Sequence, residues 1–347
     1  MSDPIRANDA ALARRSLLKT AGLGLAATLA SASHAAPVKA AKSAMSAIWS
    51  AEYWVTKGPT KLNIWRKRVG APKRGEAPRP VLFMVHGSSN STRSSYDLTV
   101  PSKGEYSMMN VMARHGFDVW TMDHDGYGRS GSSGNNSDIA SGVLDLQAAM
   151  PLVLAQTGQR KVHMYGTSSG AIRAGAFAQA NAELVDRLVL VAFTHKGTGS
   201  PEISKRAARV EQLRASNRRL RDAAMIRSIF TRDGHASSYD PAVAEAIAND
   251  ELKFGDQVPT GTYLDMAANL PLVDPKRVLS PVLMIRGEHD GNSTEADLID
   301  FYQQLPNGDR QFVCLPHTAH SAGYSNNRHL LWYATHNFLA APGAVKA

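Results

Sequence analysis

Short apolar runs alternate with amphipathic stretches along most of the chain. The continuous apolar run at residues 81–85 is typical of a strand covered on both faces. Further strands are predicted at residues 117–122, 162–165, within 184–193, at 282–285 and at 311–315. Helices are predicted between them, at residues 105–115, 139–155, 171–180, 298–305 and 330–339. This alternation predicts an α/β fold with a mostly parallel sheet of about eight strands flanked by helices.

Two segments fall outside this rhythm. Residues 48–55 and 62–69 read as strands separated by Lys57-Gly58-Pro59, which predicts an antiparallel hairpin. Residues 195–279 carry no strong strand signal, but 202–232 and 240–251 have helical spacing, the second opened by Asp240-Pro241. We therefore expect a core at residues 46–194 and 280–342, with a helical cap at 195–279 inserted before the penultimate strand.

The first 36 residues are set apart from the folded chain. Arg14 and Arg15 precede leucines and Lys19, a mildly apolar stretch covers residues 21–30, and small residues follow. This order resembles a twin-arginine export signal, with cleavage expected near Ala32 or Ala35. The resemblance implies a bacterial precursor handled by the twin-arginine export machinery and a periplasmic or secreted product.

The charge and composition of the chain indicate which kinds of partner and ligand to expect. The net charge is +9, and only four basic and two acidic residues lie within residues 1–35, so the remaining chain is basic and favours anionic substrates or acidic surfaces. No basic–aromatic motif indicates a nucleic-acid partner, and no further segment is expected to insert stably in a membrane. Cys314 is the single cysteine, which excludes an internal disulfide, and its apolar surroundings predict burial. The oligomeric state is left open.

The most specific motif is Gly166-Thr167-Ser168-Ser169-Gly170, between a predicted strand and a small-residue helix. Strand, G-x-S-x-G and helix in this order are the context of a nucleophile elbow, in which the serine hydroxyl stands exposed at the top of a sheet. The glycines allow a turn too tight for side chains. Ser168 is therefore the candidate nucleophile.

A serine nucleophile needs a base and an acid that orients it, in the chain order Ser, Asp or Glu, His. Asp290 follows the penultimate predicted strand and is the preferred acid, with Glu288 and Asp297 as weaker alternatives. His320 follows the last predicted strand and is the preferred base, with His317 as the alternative.

The expected oxyanion hole consists of the backbone N–H groups of Ser169 and Ser88, although Gly87 or Ser89 can replace Ser88 in this assignment. His86, His124 and His289 stand at strand ends without the spacing of a metal site, so no metal or organic cofactor is expected.

With these motifs the chain resembles the α/β-hydrolase fold superfamily, in its cap-containing, esterase-like branch. The resemblance spans residues 46–342 and includes His86-Gly87 and the turn from Asp123 to Ser130, which we interpret as scaffold. It implies a serine hydrolase that cleaves a small or medium ester through an acyl-enzyme intermediate. An amidase or peptidase and a carbon–carbon bond hydrolase are alternatives; an acyltransferase and a non-catalytic ligand-binding relative are the weaker ones.

The only hint of substrate charge is a set of arginines in the predicted cap. If one or two point inward, a substrate carboxylate can be bound in a bidentate fashion, but a solvated helix face is the favoured interpretation. Arg173, just after the elbow, has the same two interpretations. The set comprises Arg206, Arg209, Arg214, Arg218, Arg219, Arg221, Arg227 and Arg232.

Overall fold

The computed structural model describes residues 47–343. The predicted export signal at residues 1–36 lies outside this range. An eight-stranded sheet forms the centre, in the spatial order β1-β2-β6-β3-β7-β8-β11-β12. These strands are β1 Ile48–Lys57, β2 Thr60–Val69, β3 Val81–Val85, β6 Asp118–Met122, β7 Val162–Thr167, β8 Val185–Val191, β11 Val282–Gly287 and β12 Arg310–Leu315. Two small sheets pair β4 Leu98–Thr99 with β5 Glu105–Tyr106, and β9 Arg218–Leu220 with β10 Gln257–Pro259.

The sheet is mostly parallel. Only β2 runs against its neighbours, because it pairs antiparallel with both β1 and β6, and the six strands from β6 to β12 are mutually parallel. This architecture confirms the predicted α/β-hydrolase fold with its sheet of eight strands. The carboxyl ends of the parallel strands meet at one edge, where α/β proteins usually place their functional residues.

Helices cover both faces of the sheet. Helices α3, α4 and α10 pack on one face in one apolar core, and α2 and α11 pack on the other. The helices are α1 Thr92–Tyr96, α2 Met108–Arg114, α3 Ile139–Thr157, α4 Ser169–Ala180, α5 Pro201–Ala207, α6 Val210–Arg214, α7 Ala223–Ser228, α8 Pro241–Glu251, α9 Gly261–Ala268, α10 Glu295–Gln304 and α11 Arg328–Leu339.

Local side chains fix where several helices begin. The carboxylate of Asp138 accepts a hydrogen bond from the Ser141 N–H at 2.7 Å and starts α3. The carboxylate of Asp240 accepts from the Ala242 N–H at 2.9 Å, and Pro241 follows as the first residue of α8. Such caps satisfy backbone donors that the first helical turn leaves free.

Helices α5–α9 lie between β8 and β11, as the helical cap of the predicted fold requires, while the boundaries at residues 195 and 279 stay a prediction. The predicted helix at 202–232 is wrong in part, because β9 interrupts it and pairs with β10. The cap has its own apolar cluster, which includes Ile226, Val243 and Ile247 and extends to Leu98 and Tyr324 outside the cap.

Two smaller expectations are wrong. The predicted helix at 105–115 begins only at Met108, because Glu105 and Tyr106 pair as β5 and the Ser107 hydroxyl accepts from the Asn110 N–H at 3.0 Å to start α2. Cys314 is exposed, since β12 is an edge strand with one neighbour. Among the described residues, α3 is long and apolar enough to span a membrane by length and composition, but most of its apolar side chains pack in the core.

The turn from Asp123 to Ser130 follows β6 and is held by hydrogen bonds to neighbouring elements. The two carboxylate oxygens of Asp123 accept from the backbone N–H groups of Thr92 and Arg129, both at 2.8 Å. The Ser130 hydroxyl donates to the Asp123 carbonyl and accepts from the Asn63 N–H at 2.9 Å. These bonds join the turn to β2 and α1 and hold the loop that follows β3.

Candidate active site

Ser168 lies on a sharp turn between β7 and α4. Its backbone φ is +58°, in the left-handed region that residues other than glycine rarely adopt. Its N–H donates to the Val191 carbonyl at 2.9 Å, which fixes the turn against β8. A non-glycine residue held at positive φ is a strained arrangement that clusters at functional sites.

Two glycines make this turn possible. A Cβ at Gly170 would overlap the carbonyl oxygens of Val85 and His86, and a Cβ at Gly166 would overlap the backbone of Gly170. Since both contacts are with backbone atoms, a larger residue cannot be accommodated by a side-chain shift. The elbow predicted from the sequence is therefore present, for the predicted steric reason.

The structure brings Ser168, His320 and Asp290 together although they come from the ends of three strands. His320 Nε2 lies 3.0 Å from Ser168 Oγ, and His320 Nδ1 lies 2.8 Å from Asp290 Oδ1. Asp290 and His320 are 4% and 5% exposed, so their hydrogen bond is largely shielded from water. This is the geometry of a nucleophile, a base and an orienting acid.

The hydrogen bonds around Asp290 favour its ionised form. Burial alone would raise the pKa of Asp290, but the nearby His320 and the N–H groups of Asn292 and Ser293 outweigh burial and hold this pKa below its ordinary value. The two N–H groups donate to Asp290 Oδ1 at 2.9 and 3.1 Å. The carboxylate can thus hold the His320 ring in one orientation and stabilise a positive charge on it.

The alternative acids and base lie elsewhere. Glu288 is exposed, and its carboxylate accepts from the His317 N–H at 2.8 Å. Asp297 is buried and accepts from three backbone N–H groups, those of residues 195, 196 and 198. His317 is exposed beside Glu288. None of these three side chains forms a hydrogen bond with Ser168 or His320 within the described residues.

The loop after β3 lies against the elbow. A Cβ at Gly87 would come within 2.8 Å of the Thr167 carbonyl oxygen, so glycine is needed for this approach. Ser88 Oγ lies 2.7 Å from Ser169 Oγ, which places Ser88 beside the residue that follows the nucleophile. The backbone N–H groups of Ser169 and Ser88, and those of the alternatives Gly87 and Ser89, have no acceptor within residues 47–343, so each is free to bind an oxyanion and the choice of Ser88 stays a prediction.

A cleft opens over Ser168 and His320. Sequence reasoning missed two residues beside it. The Asn292 amide nitrogen lies 2.9 Å from His320 Nε2, and the Asp233 carboxylate accepts from the His320 N–H at 3.1 Å. Polar residues in loops are too common for either to be recognised from the sequence.

The arginine set divides by environment. Arg206 and Arg232 line the cleft, and Arg219 packs on Tyr263, another lining residue. Arg221 is buried in an ion pair with Glu251. The other cap arginines, 209, 214, 218 and 227, are exposed or partly exposed at the surface. The expected solvated helix face is therefore only part of the arrangement.

Arg173 and two histidines are structural. Arg173 is buried away from the cleft and donates to the Ser137 carbonyl at 2.8 Å. His86 accepts from the His124 N–H at 3.0 Å, and His124 Nδ1 lies 2.9 Å from Asp145. Burial, and then the proximity of His124 and Arg173, lowers the pKa of His86 well below its ordinary value, which suits its role as an acceptor.

One group of metal-ligand side chains occurs in the described residues, at Glu288, His289 and His317, with ligand atoms within 4.8 Å of one another. The group lies at the surface, and His289 is stacked on His235 with ring centroids 3.6 Å apart. The Glu288 carboxylate already accepts from the His317 N–H. The geometry of Ser168 and His320 does not involve these residues.

Comparisons with known proteins agree with this architecture. A search of curated proteins finds no match. Among solved structures, an enol-lactonase from Burkholderia xenovorans LB400 is similar at 15% identity, covering 83% of this chain and 100% of its own, with a TM-score of 0.58. A thermophilic esterase from Thermogutta terrifontis is 19% identical, over 84% of this chain and 98% of its own, with a TM-score of 0.60.

A hydrolase for 2-hydroxy-6-oxo-6-phenylhexa-2,4-dienoate from Rhodococcus sp. strain RHA1 is 15% identical, covering 85% of this chain and 100% of its own, with a TM-score of 0.62. At such identities these likenesses show the fold alone. A family model, described as serine aminopeptidase S33, matches residues 76–323 and thus spans the elbow, Asp290 and His320. The chain belongs to this family of α/β-hydrolase-fold proteins.

Proposed function

We propose that the protein hydrolyses a carboxylic ester of small or medium size through an acyl-enzyme on Ser168. The observation that carries the proposal is the unbroken chain of contacts from Asp290 to His320 to Ser168, at 2.8 and 3.0 Å, at the floor of a cleft. The family match and the esterase and lactonase folds among the similar structures support the reaction class.

The geometry permits a two-step acyl transfer. His320 Nε2 takes the Ser168 proton as the serine oxygen attacks the ester carbonyl, and the N–H groups of Ser88 and Ser169 stabilise the oxyanion. The ester C–O bond then breaks, and His320 gives the proton to the leaving alcohol. Water enters, gives a proton to His320 and attacks the acyl carbon, after which that proton returns to Ser168 and the acid leaves.

The second candidate is an amide hydrolase with the same residues in the same roles. The family description favours it, because the matching family is named for aminopeptidases. Esters are the first choice because alkoxide leaving groups need less assistance than amines from the same base. Parallel assays with a matched para-nitrophenyl ester and para-nitroanilide of one acyl group compare the two candidates directly.

The test of the proposal is Ser168→Ala. Turnover of para-nitrophenyl butyrate should fall by about a millionfold, toward the background rate, because the nucleophile is lost. A fluorophosphonate probe should label the wild type and not the variant, while circular dichroism shows an unchanged fold. Ser228→Ala, an exposed serine on α7, is the matched control and should keep full activity. Turnover by Ser168→Ala at the wild-type rate contradicts the proposal.

Export through the twin-arginine route is a separate part of the proposal. It is supported by Arg14-Arg15, the apolar stretch at 21–30 and the small residues that follow. Fractionation of cells that express the full chain and an Arg14→Lys, Arg15→Lys variant tests it: the wild type should reach the periplasm or medium, and the variant should stay in the cytoplasm.

A further inference from the structure

Positive charge is concentrated on the cap side of the cleft. Arg206 on α5 and Arg219 on β9 approach the same tyrosine, Tyr263 on α9, and Arg232 lies in the turn after α7. The guanidinium carbon of Arg219 lies 3.9 Å from the Tyr263 ring centroid, and that of Arg206 lies 4.7 Å away. Arg232 lines the cleft together with Arg206 and Tyr263. Three cations, from α5, from β9 and from the turn after α7, thus lie on the cap side of the cleft.

These cations are poorly matched by carboxylates. Within residues 47–343 no carboxylate lies within 4.0 Å of Arg206 or Arg219, and Arg232 reaches only its neighbour Asp233, at 3.9 Å. Glu202, one turn from Arg206 on α5, pairs with Lys205 at 2.6 Å instead. Arg206 is 8% exposed, and a charge so far removed from water is costly without a counter-ion.

The hydrogen bonds of Arg206 do not supply that counter-ion. Its Nη2 donates to the Asn292 amide oxygen at 3.2 Å, and its Nη1 lies 3.4 Å from the Met266 sulfur. Both acceptors are neutral. Two other buried arginines show the usual solutions: Arg66 donates to both carboxylate oxygens of Asp118, at 2.8 and 2.5 Å, and Arg286 donates to backbone carbonyls. Arg206 has capacity left for a ligand.

The arginine side of the cleft adjoins the reacting atoms. Asn292 links the two, because its amide oxygen accepts from Arg206 and its amide nitrogen lies 2.9 Å from His320 Nε2. A ligand group bound at Arg206 is therefore within one small molecule's length of an acyl group on Ser168. Elsewhere the cleft is lined by Tyr106, Met108 and Ile229, which offer apolar surface.

We infer that Arg206 and Arg232 form an anion subsite of the cleft, which binds a carboxylate carried by the same molecule as the scissile ester. Arg219 packs on the ring of Tyr263, which lines the cleft, and its Nη2 donates to the Ser89 hydroxyl at 2.7 Å. The substrate class is a half-ester or other ester with a free carboxylate at one end and an apolar group at the other. This inference rests on the proposed function for its chemistry and on the arginine geometry for its selectivity.

The test compares substrates that differ only in a carboxylate. One pair is mono-para-nitrophenyl glutarate and para-nitrophenyl pentanoate, with the charge on the acyl side. The other is para-acetoxybenzoate and its methyl ester, with the charge on the alcohol side. In the wild type, kcat/KM should be higher for the charged member of at least one pair.

Arg206→Gln and Arg232→Gln should each lower that charged-to-neutral ratio by about tenfold or more, the loss expected for one charge-assisted hydrogen bond. Arg214→Gln removes an equal charge from an exposed cap position paired with Glu211, and it should leave the ratio unchanged. If Arg206→Gln does not fold, Arg232→Gln carries the same comparison, since that side chain is only partly buried.

A binding measurement separates this inference from the proposed function. Glutarate should bind to Ser168→Ala in calorimetry, more weakly to Ser168→Ala with Arg206→Gln or Arg232→Gln, and dimethyl glutarate should bind less well than glutarate. Loss of activity in every assay with specific glutarate binding overturns the proposed function and keeps the subsite. Hydrolysis of neutral esters with no preference for charge in either pair, and no glutarate binding, overturns the subsite and keeps the proposed function.

Discussion

The core side and the cap side of the cleft are built on different principles. On the core side, Ser168, His320 and Asp290 form a closed series of hydrogen bonds whose partners come from the protein itself. On the cap side, the hydrogen bonds of Arg206 and Arg219 go to neutral acceptors, and no carboxylate of the described residues lies within 4.0 Å of either side chain. Under the proposed function, the core supplies the chemistry and the cap supplies the choice of substrate.

The same contrast occurs inside the cap, between two arginines two positions apart. Arg221 is buried, forms an ion pair with Glu251 and donates to the Ser89 and Gly255 carbonyls, both at 2.9 Å. Arg219 has one hydroxyl acceptor and a tyrosine ring. Arg221 thus joins the cap to the loop after β3, whereas the charge of Arg219 is not paired with a carboxylate of the described residues.

The largest effect should come from the core side. Asp290→Asn should lower kcat for any ester by about ten-thousandfold, because an amide cannot hold His320 in the right tautomer or stabilise its charge. Steady-state assays with charged and neutral esters should show the same loss for both. The matched control is Glu288→Gln, an exposed carboxylate two positions away that should leave kcat unchanged. Equal losses in the two variants would remove Asp290 from its assigned role.

The next prediction concerns the contribution of the ion pair between Arg221 and Glu251 to the stability of the fold. Glu251→Gln leaves Arg221 buried without its anion and weakens the bonds that the carboxylate accepts from the Ser91 N–H and hydroxyl, at 2.6 and 2.7 Å. Breaking a buried pair in this way should lower the free energy of unfolding by about 3–5 kcal/mol.

Urea denaturation measures this change as a shift in midpoint at constant slope. The exposed pair of Arg227 and Glu245 provides the control, since Glu245→Gln should cost less than about 1 kcal/mol. A midpoint for Glu251→Gln equal to that of Glu245→Gln would show that Arg221 does not differ from the surface arginines, and the contrast with Arg219 would lose its basis.

The two sides also differ in how far the sequence predicts them. The elbow is local, because the steric need for glycine at positions 166 and 170 can be read from five consecutive residues of the sequence. Asp290 and His320 follow from chain order, because carboxyl ends of parallel strands meet at one edge. The orientation of Arg206 and Arg219 depends on where β9 interrupts the helical pattern, and that pairing with β10 involves residues about 40 positions away.

The last prediction is a titration on the cap side. Burial would raise the pKa of Tyr263, but Arg219, Arg206 and Arg232 outweigh burial and, with the Ser89 hydroxyl, lower this pKa to about 6. Because the folded pKa is depressed, the stability that Tyr263 contributes is fully present above its unfolded pKa of about 10 and is lost as the pH falls through about 6. Tyr263→Phe should remove this dependence from the difference between the two proteins' unfolding free energies.

Phenolate absorbance near 295 nm, about where ionised tyrosine absorbs, measures the titration directly as the difference between Ser168→Ala and Ser168→Ala with Tyr263→Phe. One phenolate should form near neutral pH, which leaves the three arginines with net positive charge. Bound glutarate should shift the midpoint upward, because a second anion beside the same arginines disfavours the phenolate. A midpoint that glutarate leaves unchanged would mean that the arginines serve Tyr263 alone, and the cap side would then be as self-contained as the core side.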